Sequence, residues 1–146
     1  MATEIRRLVF SHAESTKALE DFGKKYNIQF PTGKIIRAKF AGTAEYEFHS
    51  MKQLKTSIHK DYNVEGKASS VIITYFDDKT FEHKFFNLTA DFISGALIEY
   101  CIANKIMLPK TSKKSLDITE FNICLDINFD NTTPESPAIQ GFAPDD

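Results

Sequence analysis

An α+β fold in one domain is predicted from three observations: β-rich runs that arrive mostly in pairs, amphipathic stretches opened by hydroxyl caps, and a pattern that returns after 78 residues. The length of 146 residues, with 42% hydrophobic and 26% charged residues, suits a single globular core rather than a disordered chain. Thirteen Phe and no Trp make phenyl rings the main bulky filling of that core.

Residues 4–10, EIRRLVF, read as a strand. Ser11 follows with Glu14 three positions on, the spacing of a capping box. The helix it opens carries Ala18, Leu19, Phe22 and Tyr26 on one stripe. Asn27 is placed to end that helix in a left-handed conformation, and Pro31 blocks its continuation. KIIRAKF (34–40) and AEYEFH (44–49), separated by a Gly-containing turn, predict a hairpin. Ser50 and Gln53 repeat the capping spacing, and Met51, Leu54 and Ile58 predict a short second helix.

SVIITYF (70–76) and TFEHKFF (80–86) predict a further hairpin, with Asp77 and Asp78 as turn residues. Thr89 opens the strongest helix, with Phe92, Ile93, Ala96, Leu97, Tyr100 and Cys101 on a broad apolar face. Gly95 inside it predicts close packing against a neighbour. Phe121, Ile123, Leu125, Ile127 and Phe129 then alternate with Asn122, Cys124, Asp126, Asn128 and Asp130, as expected of a strand with one apolar and one polar face. Leu116 and Ile118 have the opposite parity, so a bulge or tight turn is expected near Thr119–Glu120. Residues 130–146 carry three prolines and acidic residues without periodicity, and read as a flexible tail after a 1–129 domain.

The recurrence relates residues 4–40 to residues 82–118. Glu4 falls on Glu82, Ser11 on Thr89, Ala18 on Ala96, Leu19 on Leu97, Phe22 on Tyr100, Ile28 on Ile106 and Pro31 on Pro109. These positions have separate physical roles (cap, buried stripe, helix stop), so agreement at all of them points to a duplicated supersecondary unit. The expected order is β-α-ββ-α-ββ-α-ββ, with helices packed on an antiparallel or mixed sheet.

Function is less legible. There is no Gly-rich phosphate loop, nucleophile elbow or His-x-x-x-His pattern, and the two cysteines form no metal spacing, so no catalytic residue, metal or cofactor is assigned. His12, His49 and His59 are scattered, and His83 shares a strand face with Phe81 and Phe85, where a boundary position is expected. Cys101 belongs to the buried helix stripe, while Cys124 and Asp126 fall on the polar face of the last strand. The net charge of −2 excludes a strongly basic polyanion binder; without its four C-terminal acidic residues the body stands near +2.

No apolar run reaches the length of a membrane span, and the N-terminus lacks a signal-like apolar core, so a cytoplasmic location is expected. The reading these features favour is a non-catalytic protein-interaction or adaptor protein, partnered by another protein or by its own copy through a sheet edge or helix face. An alternative is nucleic-acid binding through Lys34, Arg37 and Lys39 after the first Pro exit and Lys110, Lys113 and Lys114 after the second, merged into one positive surface. A further alternative is a small-molecule site, for which His83 and Asp126 are the candidates.

Overall fold

The computed structural model describes residues 3–41, 51–53, 58, 60–109 and 111–130. In chain order the elements are β1 (Thr3–Ser11), α1 (His12–Lys25), β2 (Gly33–Phe40), β3 (Met51–Gln53), β4 (Val64–Glu65), β5 (Ser70–Asp77), β6 (Glu82–Thr89), α2 (Ala90–Ala103), β7 (Lys113–Ile118) and β8 (Asn122–Asp130). The class is α+β in a single small domain, with two helices among the described residues.

Local chemistry explains the helix boundaries. Ser11 Oγ accepts from the Glu14 amide, and the Glu14 carboxylate accepts from the Ser11 amide, so the capping box closes in full. At the other end Asn27 adopts φ 60°, and the Ile28 amide reaches back to the Gly23 carbonyl at 2.9 Å. This six-to-one bond satisfies a carbonyl that the helix itself leaves open. The second helix ends with the same geometry: Lys105 has φ 60°, and the Ile106 amide donates to the Cys101 carbonyl at 2.8 Å. The left-handed residue is Lys105 where Asn is the usual choice, Asn104 having moved one place earlier to bond the Tyr100 carbonyl through its side chain.

The strands form two four-stranded sheets, β1-β8-β7-β4 (sheet A) and β2-β5-β6-β3 (sheet B). In each, three long strands run antiparallel, and a short strand from the connector between β2 and β5 adds in parallel at one edge: β4 on β7, β3 on β6. β1 therefore pairs with the last strand, and β6 with the strand just before it. One core joins both helices to the inner faces of both sheets, with Leu19, Phe22, Ile73, Tyr75, Phe92, Leu97 and Leu125 among its most enclosed side chains. Helix α2 is buried continuously from Phe92 to Ile98, more fully than a one-sided stripe predicts, because Tyr62 and Val64 of the connector cover its remaining side. Gly95 is where Tyr62 enters: a Cβ there would lie 2.9 Å from its ring and 3.0 Å from the Phe22 ring.

Two expectations need correction, and a third falls partly outside the described residues. The short helix opened by Ser50 does not form at its start, since Met51–Gln53 is a strand on the edge of β6; the open backbone of that edge outweighs three apolar residues at helical spacing. Of the hairpin expected after β2, the second arm (44–49) lies outside the described residues, and β2 itself pairs with β5. Phe121 belongs to the β7–β8 turn and is 70% exposed, so the apolar face of β8 starts at Ile123. Of the tail expected at 130–146, Asp130 is the last residue of β8, and residues 131–146 lie outside the described residues.

The two sheets share one set of registers. His12 and Ala90 open the helices and Lys25 and Ala103 close them, each pair 78 positions apart. With the same shift β1 corresponds to β6, and its pairing partner β8 corresponds to β5: Leu8 opposite Leu125 matches Phe86 opposite Ile73, and Phe10 opposite Ile123 matches Leu88 opposite Val71. Leu116 opposite Leu125 likewise matches Ala38 opposite Ile73. A bulge between Ile35 and Arg37 absorbs the one residue by which β2 and β7 differ.

Candidate interaction surface

Each sheet has one edge covered by a connector strand and one edge without a strand among the described residues. Strand β3 covers Phe85–Asn87 of β6. The corresponding segment of β1 is Arg7–Val9, and among the described residues sheet A ends there. β1 is nine residues long, contains no Pro and pairs with β8 without a register shift, so its outer edge is long and regular.

Its side chains differ from those of a simple half-buried strand. Leu8 and Phe10 turn to the core, while Ile5 and Val9 on the outer face are 64% and 55% exposed. Between them Arg7 is fixed across the strands: Nε donates to Asp126 Oδ1 at 2.8 Å, and Nη2 donates to Asp126 Oδ2 at 2.8 Å and Asp117 Oδ2 at 2.7 Å. The hydrogen bonds to Asp126 and then Asp117 raise the Arg7 pKa further. On the inner face Glu4 and Arg6 are exposed as well, because this end of β1 runs past the core. Arg6 Nη1 donates to the Met107 carbonyl at 3.0 Å, which ties the second Pro exit to the sheet. A strip of β1 thus offers backbone groups, two apolar side chains and an acid–base pair to solvent. That combination is chemically suited to an extended polypeptide strand, for which the backbone would supply affinity and the alternate side chains register.

The lysine clusters do not gather into one face. Lys34, Arg37 and Lys39 are exposed on the outer side of β2, opposite Phe76, Thr74 and Ile72. Lys113 is exposed on the outer side of β7 in the other sheet, and Lys110 lies outside the described residues. Lys114 is buried at 3% exposure, its Nζ donating to the Ser112 carbonyl at 2.8 Å, and burial lowers its pKa. Its parity was legible in the sequence, since Lys114, Leu116 and Ile118 share one face of β7.

His83 is exposed on β6 with its ring edge-on to Phe76, not at the boundary expected of it, while Asp126 is engaged by Arg7 on the other sheet. The two candidates for a small-molecule site therefore stand apart. Cys101 and Cys124 are free and buried; burial pushes the Cys101 thiol up to about 11 and raises Cys124 too, which leaves both as thiols. Cys124 is enclosed although it has the parity of the polar face, because Val9, Asp117 and the Arg7–Asp126 pair surround it.

The remaining charged clusters hold elements together. Asp77 is buried in the β5–β6 turn, where the Lys79 amide, foremost, and the Lys84 ammonium depress its pKa against the effect of burial. Glu99 on α2 accepts from the Tyr62 hydroxyl at 2.7 Å and meets Lys25 and Lys60; burial works against its charge, but these partners prevail and hold its pKa low. A broad open groove of about 1210 Å3 runs beside the first Pro exit, between Phe30, Pro31, Asp77, Phe81, Lys84 and Phe86. Among the described residues no group of three His, Cys, Asp or Glu is placed to hold a metal ion, and no helix is long and apolar enough to cross a membrane. Comparison with protein-family models, with curated proteins and with solved structures gives no match.

Proposed function

We propose that this chain is a non-catalytic cytoplasmic interaction protein, built by duplication of a β-α-β-β unit, that captures a partner strand along the open edge of β1. The duplication reading is supported by the common register of the two sheets, the equal helix lengths and the repeated helix exit. The observation that carries the docking reading is the difference between two corresponding edges: β6 is covered by β3, whereas no strand among the described residues covers β1, and its Ile5 and Val9 are exposed. A strand from outside would take on β1 the place that β3 takes on β6. The two buried free thiols accord with a reducing compartment.

The test is capture by tagged full-length protein from its native extract after nuclease treatment, comparing wild type with the Ile5→Lys/Val9→Lys variant. Both positions are exposed, so the fold tolerates lysine there, and lysine on an edge strand opposes pairing. A stoichiometric protein retained by wild type and lost by the variant supports the reading. Equal retention moves docking away from β1. Recovery abolished by nuclease favours the second reading, nucleic-acid binding, for which Lys34, Arg37 and Lys39 on one face of β2 are the better-placed cluster.

A further inference from the structure

Resting on the β1 docking reading, we infer that the occupant of this edge is a second copy of the same chain, paired antiparallel to β1 about a two-fold axis at Ile5. The argument is charge complementarity. An axis perpendicular to the sheet brings residues of equal parity opposite one another, so it must pass through a residue position. Centred on Glu4 or Arg6, it sets that charged residue against its own copy, and like charges directly opposite are destabilising; centred on Arg7, it places Glu4 against Phe10 and Arg6 against Leu8, so neither charge is met. Centred on Leu8, it places Arg6 against Phe10 and Arg7 against Val9 of the other copy. Centred on Ile5, it places Glu4 opposite Arg6 and Arg6 opposite Glu4, two ion pairs from one register.

The side chains suit that register. Ile5, 64% exposed, meets its own counterpart on the outer face and removes both from water. Glu4 and Arg6 are exposed on the inner side. Arg6 uses one donor on the Met107 carbonyl and keeps the rest of its guanidinium fork for a carboxylate. Arg7 falls opposite Thr3, its charge already met by Asp117 and Asp126, so it brings no unpaired cation into the seam. The product is one continuous sheet, β4-β7-β8-β1 joined to its symmetry copy, with the β1 edges of both chains closed.

Sedimentation equilibrium of the purified full-length chain, from micromolar to submillimolar, tests this directly. The expected result is a concentration-dependent mass of two chains. Glu4→Arg and Arg6→Glu should each weaken association about tenfold, and the double exchange should restore it, because each ion pair is made twice. With both native thiols buried, Ile5→Cys should oxidise to a covalent dimer, since facing Cα atoms of antiparallel strands lie within disulfide range, and Val9→Cys should not. A mass of one chain throughout overturns the inference, as does a double exchange that fails to rescue or cross-linking through Val9 in preference to Ile5. A monomer that still captures another protein, released by Ile5→Lys/Val9→Lys, overturns the second copy alone and leaves the strand-docking reading in place.

Discussion

The two helix exits share a backbone but differ in what they pack. In the first, Phe30 stacks on Tyr75 with centroids 5.4 Å apart and planes 6° from parallel, and meets Phe86 edge-on. In the second, the corresponding positions are Leu108, Ile127 and Leu8, and the exit is held by cations instead: Arg6 on the Met107 carbonyl and Lys114 on the Ser112 carbonyl. Gly33 opens β2 so close to β5 that a Cβ would lie 1.9 Å from the Phe76 carbonyl oxygen, whereas its counterpart Thr111 is exposed and carries a side chain freely. The difference teaches that the helix stop is set by the backbone and its cap, while the surroundings are free to be aromatic in one half and charged in the other.

Paired substitutions across the halves sharpen this comparison. The largest effect is expected at Phe30, where truncation to Ala should cost about 4 kcal/mol in chemical denaturation, against about 2 kcal/mol for the half-buried Leu108→Ala. Equal losses would remove the distinction between an aromatic and a cation-held exit. Next, Gly33→Ala should destabilise by about 3 kcal/mol, because the obstacle is a backbone oxygen that cannot turn aside, while Thr111→Ala stays within about 0.5 kcal/mol.

Smaller effects concern pH. Glu99 has its folded pKa depressed, so its contribution is present above the unfolded carboxylate pKa and is lost as pH falls through the lower folded value. Glu99→Gln should therefore flatten the acid limb of the stability curve. Its counterpart Asp21, an exposed partner of Lys17, should leave that limb unchanged as Asp21→Asn. The smallest expected effect is at Lys114, whose folded pKa is lowered: between the folded and unfolded values the unfolded chain binds more protons, so stability rises with pH there. Lys114→Met should abolish that rise, measured by thermal melts on the alkaline side of neutrality.

What the sequence made legible was local. Capping residues, the buried stripe of α1, the Asn27 stop and the Gly95 contact are written in neighbouring positions, and the structure carries them. Strand partners are not written locally: a period of two tells which face a residue takes, not which strand lies beside it, so the pairing of β1 with β8 and of β2 with β5 was out of reach. The start of the middle helix failed because Ser50, Met51 and Gln53 fit the approach to an edge strand as well as a helix cap, and residues 54–57 lie outside the described residues. The candidate surface did leave a trace, since EIRRLVF is apolar at Ile5 and Val9 and also at Leu8 and Phe10, one face more than a half-buried strand requires. Nearness in sequence to a Pro exit does not place lysines on one surface: Lys114 points inward with the parity of Leu116, and Lys113 and Lys39 belong to different sheets.

Amide hydrogen exchange of the full-length protein, comparing Arg7–Val9 with Phe85–Asn87, tests the central claim that two corresponding edges differ in what covers them. Dilute protein should protect the outward amides of Phe85–Asn87 under β3 and exchange those of Arg7–Val9 quickly, with protection of β1 appearing as concentration rises. Protection of Arg7–Val9 that is already complete in dilute solution and independent of concentration would contradict the account, for it would mean that the chain covers this edge by itself.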